Sequence, residues 1–167
     1  VVLTIDATFQ DLAEQIMDKH YKELRPHAMT AIFAEPSSGE ILALVNRPGF
    51  RPADGGNAEP RTRWNTAVSS IYEPGSTFKV VTHSAAIDQR LVGLDSWVSC
   101  HNGYYREAGW KAPLEDLSEG RESAPVRDVI AYSLNTGTFM VAQQMNPASF
   151  YNYMASFGLG EKTGIRL

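Results

Sequence analysis

The sequence predicts a mixed α/β (α+β) fold, an antiparallel sheet packed with helices, on three observations. Two apolar runs, Ala28 to Ala34 and Ile41 to Val45, flank the turn-forming stretch Glu35-Pro36-Ser37-Ser38-Gly39-Glu40, which is the pattern of a β-hairpin. Ahead of them Phe9, Leu12, Ala13, Ile16, Met17 and Leu24 recur at helical spacing. After them a second, more apolar helix is expected to open at Ser76, behind the stop Pro74-Gly75. The chain has 167 residues, 43% of them hydrophobic and 20% charged. That is ordinary globular composition and supports a packed core.

Taken in order, Val1 to Ile5 reads as a short β-like run. Asp6 or Thr4 can cap the first helix, whose other face carries Gln10, Glu14, Asp18 and Lys22. That helix should end near Arg25, because Pro26 disfavours helix at the residue before it. Both hairpin strands are nearly all apolar, so the hairpin is expected to be covered on both faces or central in a sheet. Arg47 to Asn65, with Pro48, Pro52, Gly55, Gly56 and Pro60, has no period and reads as a long functional or mobile loop.

In the helix from Ser76, residues Phe78, Val80, Val81, Ala85, Ala86 and Ile87 leave little polar face, which describes a buried helix. Leu91 to Leu114 is irregular. A helix is expected from about Pro125 to Tyr132. Asn135 to Gly137 should break it, with helix resuming over Phe139 to Met145. Asn146-Pro147 then reads as an N-cap and first helical residue, and Gly158 closes that last helix.

The formal charge is -4 and no Lys/Arg block stands out, so nucleic-acid binding has no electrostatic support. No apolar run is long enough to cross a membrane. No signal peptide is present and Val1 is not a natural start, so the chain is expected to be a mature or trimmed form. The lone Cys100 excludes an internal disulfide and reads as a half-buried thiol in a turn beside His101. His20 and His27 lack ligand spacing, so no metal and no cofactor are expected. His83 and Asp88 are expected in a buried hydrogen bond or on a solvated edge. Tyr104, Tyr105 and Trp110 are expected to pack against a turn.

The chemistry lies in Ser76-Thr77-Phe78-Lys79. A serine hydroxyl is a weak nucleophile until a base takes its proton. Lys79 lies one helical turn after Ser76, on the same face. The helix N-terminus brings partial positive charge to Ser76. Desolvation in an apolar helix favours the neutral amine, so the pKa of Lys79 should fall and the group could act as a base. An isolated S-x-x-K can also be an N-cap serine with a surface lysine, but this helix is too apolar for that. Ser133-Leu134-Asn135 forms a second polar set, after Val129, Ile130 and Ala131. It can be a plain helix terminator, or it can present a proton-relaying serine and an amide-gripping asparagine.

S-x-x-K followed by S-x-N is the signature of penicillin-binding proteins and serine β-lactamases. Further phrases resemble the high-molecular-mass class B transpeptidases: Val2-Leu3-Thr4-Ile5-Asp6, Glu35-Pro36 with Gly39-Glu40-Ile41-Leu42-Ala43, Tyr72 to Lys79, and Phe157 to Ile165. The likeness covers nearly all of the chain. It implies a β-lactamase/transpeptidase-like domain and a D,D-transpeptidase of peptidoglycan stem peptides. Ser76 would attack the D-Ala-D-Ala carbonyl and form an acyl-enzyme, and Lys79 would deprotonate it. Ser133 would pass a proton to the leaving group or contact Lys79. Asn135 would contact the substrate amide and help fix Lys79. The Ser76 N–H would supply half of an oxyanion hole. A β-lactam antibiotic would acylate the same serine.

The family's third motif is K-T-G, and Lys162-Thr163-Gly164 spells it. The surrounding phrase matches the segment after S-x-N better than the catalytic strand, so a structural turn is expected there. The resemblance therefore makes residues 1–167 a partial transpeptidase domain that lacks its C-terminal strands. The chain would be a truncation, half of a cleaved protein, or a fragment paired with another chain, and impaired alone. The resemblance also implies residence on the extracytoplasmic face of the bacterial membrane, with an N-terminal anchor outside this chain. A glycosyltransferase or a cell-division or elongation complex would be a partner. The alternatives are a β-lactamase of the same fold, which lacks an E-x-x-L-N-like segment here, and a non-catalytic β-lactam sensor or pseudoenzyme.

Overall fold

A computed structural model describes residues 2–50, 53 and 56–164. Val1 of the expected opening strand, Pro52 and Gly55 of the long loop, and Ile165 of the last family-like phrase lie outside the described residues. The chain divides into two units, Val1–Tyr72 and Glu73–Leu167. The architecture is mixed, with antiparallel strand pairs packed with helices, as the sequence predicts.

In the first unit, helix α1 spans Ala7–Leu24. Of the two caps offered by the sequence, Asp6 is the one used: its carboxylate accepts the Phe9 N–H at 2.8 Å. The helix ends where Arg25 turns left-handed at φ 48°, directly before Pro26. Strands β1 (Met29–Ala34) and β2 (Ile41–Arg47) pair antiparallel, with an irregularity between Phe33 and Ala34. Ala13 and Met17 of α1 bury against Ala43 and Val45 of β2. Burial of each such larger side chain contributes about 1.5–3 kcal/mol.

Two expectations fail here. The hairpin is not covered on both faces: Ile32 and Phe33, on opposite faces of β1, are 47% and 41% exposed. The described residues Val2–Ile5 form no strand. They lie beside β2 all the same, because Asp6 N–H donates to the Leu42 carbonyl at 2.9 Å and the Thr4 hydroxyl to Ile41 at 2.6 Å. Gln10 continues this lacing: its amide accepts from Leu44 N–H at 2.8 Å and donates to Leu44 C=O at 3.0 Å. Side-chain and loop groups thus satisfy an edge that a neighbouring strand would otherwise fill. The long loop holds a 3₁₀ turn, Pro60–Arg63, and leads into a one-turn helix α2, Thr66–Ser69, capped by Asn65.

In the second unit, a 3₁₀ turn at Gly75–Phe78 runs directly into helix α3, Lys79–Asp88. Short strands follow: β3 (Trp97–Ser99) and β4 (Tyr104–Tyr105) within the stretch read as irregular, β5 (Leu114–Glu115) at its end and β6 (Ser123–Pro125) beyond it. β3 pairs with β6 and β4 with β5. Three helices close the unit: α4 (Val126–Ala131), α5 (Asn135–Ala142) and α6 (Pro147–Ser156). The core gathers Ala85 and Ala86 of α3, Val98, Cys100, Val129, Leu134 and Val141.

The helix does break, but at Tyr132–Leu134 rather than at Asn135–Gly137. α5 begins at Asn135 and runs through Gly137. A Cβ on Gly137 would stand 2.8 Å from Val129 Cγ2 and 3.0 Å from Cys100 Sγ. Here glycine permits a close approach inside a helix rather than ending it. Cys100 is fully buried, not half-buried, and burial pushes its thiol pKa up. α3 is buried on one side only, through Val81, Thr82, His83, Ala85 and Ala86, while Val80 is 60% exposed. Tyr105 and Trp110 pack with Phe139 of α5, at ring-centroid distances of 5.2 and 5.3 Å. Among the described residues no helix is long and apolar enough to cross a membrane.

Candidate active site

The site forms where α3 meets the turn between α4 and α5. Gly75, at φ 57°, turns the chain into the 3₁₀ segment. The first hydrogen bond of that segment runs from Thr77 N–H to Pro74 C=O at 3.3 Å, so the Ser76 N–H stands ahead of it, at the positive end of the helix. Ser76 is exposed, and Lys79 follows one turn later, half-buried.

Helix α4 ends in a Schellman motif that presents Ser133. Ser133 N–H donates to Ile130 C=O at 3.1 Å, and Leu134 N–H donates to Val129 C=O at 2.9 Å. The motif requires a left-handed residue, and Ser133 supplies it at φ 53°, where glycine is the unstrained choice. Leu134 is buried against Val129, the apolar contact that accompanies such an ending.

The two segments meet through Lys79. Its ammonium nitrogen donates to the Ser133 carbonyl at 2.6 Å and to the Ser133 hydroxyl at 3.0 Å. Ser76, Lys79 and Ser133 line one cavity of about 530 Å³, together with Val80, His83 and Ile87. Among the described residues the Ser76 hydroxyl makes no hydrogen bond. The pKa of Lys79 lies below the usual lysine range, in the direction the sequence reading expects. Burial is the larger cause, and the Asp116 carboxylate opposes it.

Asn135 stands elsewhere than expected. Its side-chain amide donates to the Glu115 carbonyl at 2.7 Å, not to Lys79. This is because Asn135 opens α5, and its backbone is held by Asp116. The Asp116 carboxylate accepts Asn135 N–H at 2.5 Å, Thr136 N–H at 3.0 Å and the Thr136 hydroxyl at 2.7 Å. Leu134 occupies the N-cap position without a capping side chain, so a carboxylate from a distant loop fills that role. Asp116 is therefore a residue of the site that sequence reasoning missed. Its contact partners are 19 and 20 positions away, and no local spacing signals such a cap. Lys162-Thr163-Gly164 follows α6 in irregular, exposed chain and does not line the cavity. Among the described residues no group of three His, Cys, Asp or Glu side chains is placed to hold a metal. His20 pairs with Glu23 at 3.3 Å instead.

Comparison with known proteins bears on this geometry. The family model of the penicillin binding protein transpeptidase domain matches residues 29–167. Stage V sporulation protein D of Bacillus subtilis (strain 168) is 33% identical over 99% of this chain and 26% of its own length. Peptidoglycan D,D-transpeptidase FtsI of Buchnera aphidicola subsp. Schizaphis graminum (strain Sg) is 26% identical over 100% of this chain and 28% of its own. The chain thus spans about a quarter of the length of these curated relatives. Among solved structures, the apo TP domain of Burkholderia pseudomallei penicillin-binding protein 3 superposes with a TM-score of 0.84. The identity is 28%, covering 99% of this chain and 44% of that one.

Proposed function

Because the chain belongs to the penicillin-binding protein transpeptidase family, we propose that it carries the acylating half of a peptidoglycan D,D-transpeptidase site, with Ser76 as nucleophile. The observation that carries this reading is the meeting of Lys79 and Ser133, at 2.6 and 3.0 Å, on the wall of the cavity that Ser76 also lines.

In this reading the substrate is a stem peptide ending in D-Ala-D-Ala. The neutral amine of Lys79 takes the Ser76 proton as Oγ attacks the penultimate carbonyl carbon. The partly desolvated position of Lys79 makes the neutral form accessible at lower pH than for a lysine in water. Negative charge on the tetrahedral oxygen falls near the Ser76 N–H, at the start of the helix. Collapse breaks the C–N bond to the terminal D-Ala. The proton held by Lys79 passes by way of the Ser133 hydroxyl to the leaving amine. An acyl-enzyme remains, and an amine of a second stem peptide attacks it in reverse sequence. Asn135, at the head of α5, offers its side chain to the substrate amide after releasing the Glu115 carbonyl. A β-lactam presents a similar carbonyl and leaves Ser76 acylated.

The same reading treats residues 1–167 as part of a larger transpeptidase domain, working outside the cytoplasmic membrane where peptidoglycan lies. Any glycosyltransferase or division-complex partner belongs to that larger protein.

The test is covalent labelling. The natural full-length protein is incubated with a penicillin and its intact mass is read. A stable adduct of one penicillin mass is expected, absent from Ser76→Ala. An unlabelled protein, or an adduct that persists in Ser76→Ala, would sink the reading.

A further inference from the structure

We propose that His83 is a positioning residue that ties the helix carrying Lys79 to the turn carrying Ser133, through the Thr138 hydroxyl and the Leu134 carbonyl. The proposal rests on the acyl-transfer reading above.

His83 lies one turn after Lys79 in α3 and is 5% exposed; Thr138, one turn into α5, is 8% exposed. Thr138 has a single hydroxyl proton, and it is donated to the Leu134 carbonyl at 2.7 Å. Its oxygen, 3.1 Å from His83 Nε2, therefore acts as acceptor, and Nε2 carries the ring proton. Nδ1 is left as a bare lone pair in a buried place with no partner. A proton on Nδ1 would bury a donor without an acceptor and add a second cation near Lys79. Burial, and then Lys79, push the ring's pKa below the usual histidine value. The neutral Nε2–H form is thus the one that fits.

The consequence is mechanical. Leu134 sits between Ser133 and Asn135, 1% exposed. Its carbonyl is the far end of a buried relay that starts on α3. Lys79 makes the second tie between the same two segments, but that tie runs from a half-buried lysine to an exposed serine, where water competes more than at the buried His83–Thr138 contact. A hydrogen bond shielded from water holds geometry better than an exposed one. The buried relay therefore sets the distance at which the Ser133 hydroxyl meets Lys79, and hence the fit of the proton path. A misplacement of about 1 Å in such a path can cost on the order of a hundredfold in rate.

The test uses the natural full-length protein and a fluorescent penicillin, with stopped-flow separation of initial binding from acylation. His83→Leu and Thr138→Val are expected to slow the acylation rate constant about tenfold or more, with the binding constant little changed. His83→Gln, whose amide N–H can reach the position of Nε2–H, and Thr138→Ser, which keeps the hydroxyl, are expected to recover most of the rate. The double variant His83→Leu/Thr138→Val should be no slower than the slower single one, since both break one relay. Wild-type acylation in His83→Leu and Thr138→Val overturns the proposal, as does a His83→Gln protein as slow as His83→Leu. If His83→Leu does not fold, the Thr138→Val and Thr138→Ser pair decides by the same criteria. A parent protein that forms no adduct removes the acyl-transfer reading itself, and this proposal with it.

Discussion

At the scale of single residues, the site depends on a serine in a backbone conformation that suits glycine. Ser133 sits at φ 53° in the Schellman ending of α4. The hydroxyl meets Lys79 there at 3.0 Å, and the proposed proton path gives a reason for a serine to bear that backbone strain. Ser133→Gly should therefore be more stable to heat than Ser133→Ala by about 1 kcal/mol, with both variants slow to acylate. A thermal melt in which the alanine variant is the more stable would contradict this. Asp116 sets the second residue-scale prediction. Acylation should rise with pH as Lys79 loses its proton. Burial moves that rise to lower pH, and the Asp116 carboxylate moves it back up. Asp116→Asn removes the opposing charge, so the acid limb of the pH–rate profile should shift further down while the maximal rate falls with the damaged cap. An upward shift would show that the charge has been read with the wrong sign. The Ser76/Lys79 and Ser133/Asn135 spacings stand in the sequence because each is local, while the Asn135 contact with Glu115 does not. Asp116 was not legible, and for His83 the buried hydrogen bond was expected but its partner was not, since each acts on a group reached only through tertiary packing.

At the scale of elements, local sequence rules worked where the local structure decides. The Asp6 cap, the stop at Pro26, the Asn146-Pro147 start of α6 and the α4 boundaries all follow from residues within a few positions. Asp6→Ala should lower stability by about 1 kcal/mol, measured by denaturant unfolding of the first unit. Gly137 is where the local rule failed. A glycine after Asn135 reads as a breaker, but Val129 and Cys100 press so closely on it that only glycine fits inside α5. Gly137→Ala ought to be unfavourable by about 1–3 kcal/mol, despite alanine's better helix propensity. A stabilised alanine variant, seen in the same unfolding assay, would show that this contact can relax.

At the scale of the whole molecule, each unit holds a small core of its own and leaves apolar side chains uncovered. Phe9, Leu12 and Ile16 of α1 are 39%, 51% and 50% exposed, and Val80 and Ile130 in the second unit are 60% and 43% exposed. The chain expressed as these 167 residues should therefore self-associate with rising concentration, and Leu12→Lys with Ile16→Glu should reduce it. Sedimentation that finds an unchanged monomer would refute this. The sequence by itself determined the helices and hairpin, and set Ser76 one turn before Lys79 and Ser133 two positions before Asn135, because periodicity, caps and turns act over a few residues. It also suggested more burial than exists, since an apolar run records what a surface can bury and not what covers it. Only the tertiary structure decided that Lys79 meets Ser133 across 54 positions, that Asp116 caps α5, and that His83 reaches Thr138. Those contacts join segments far apart in the chain. Their energy depends on the distance between groups after packing, a quantity that residue order does not carry.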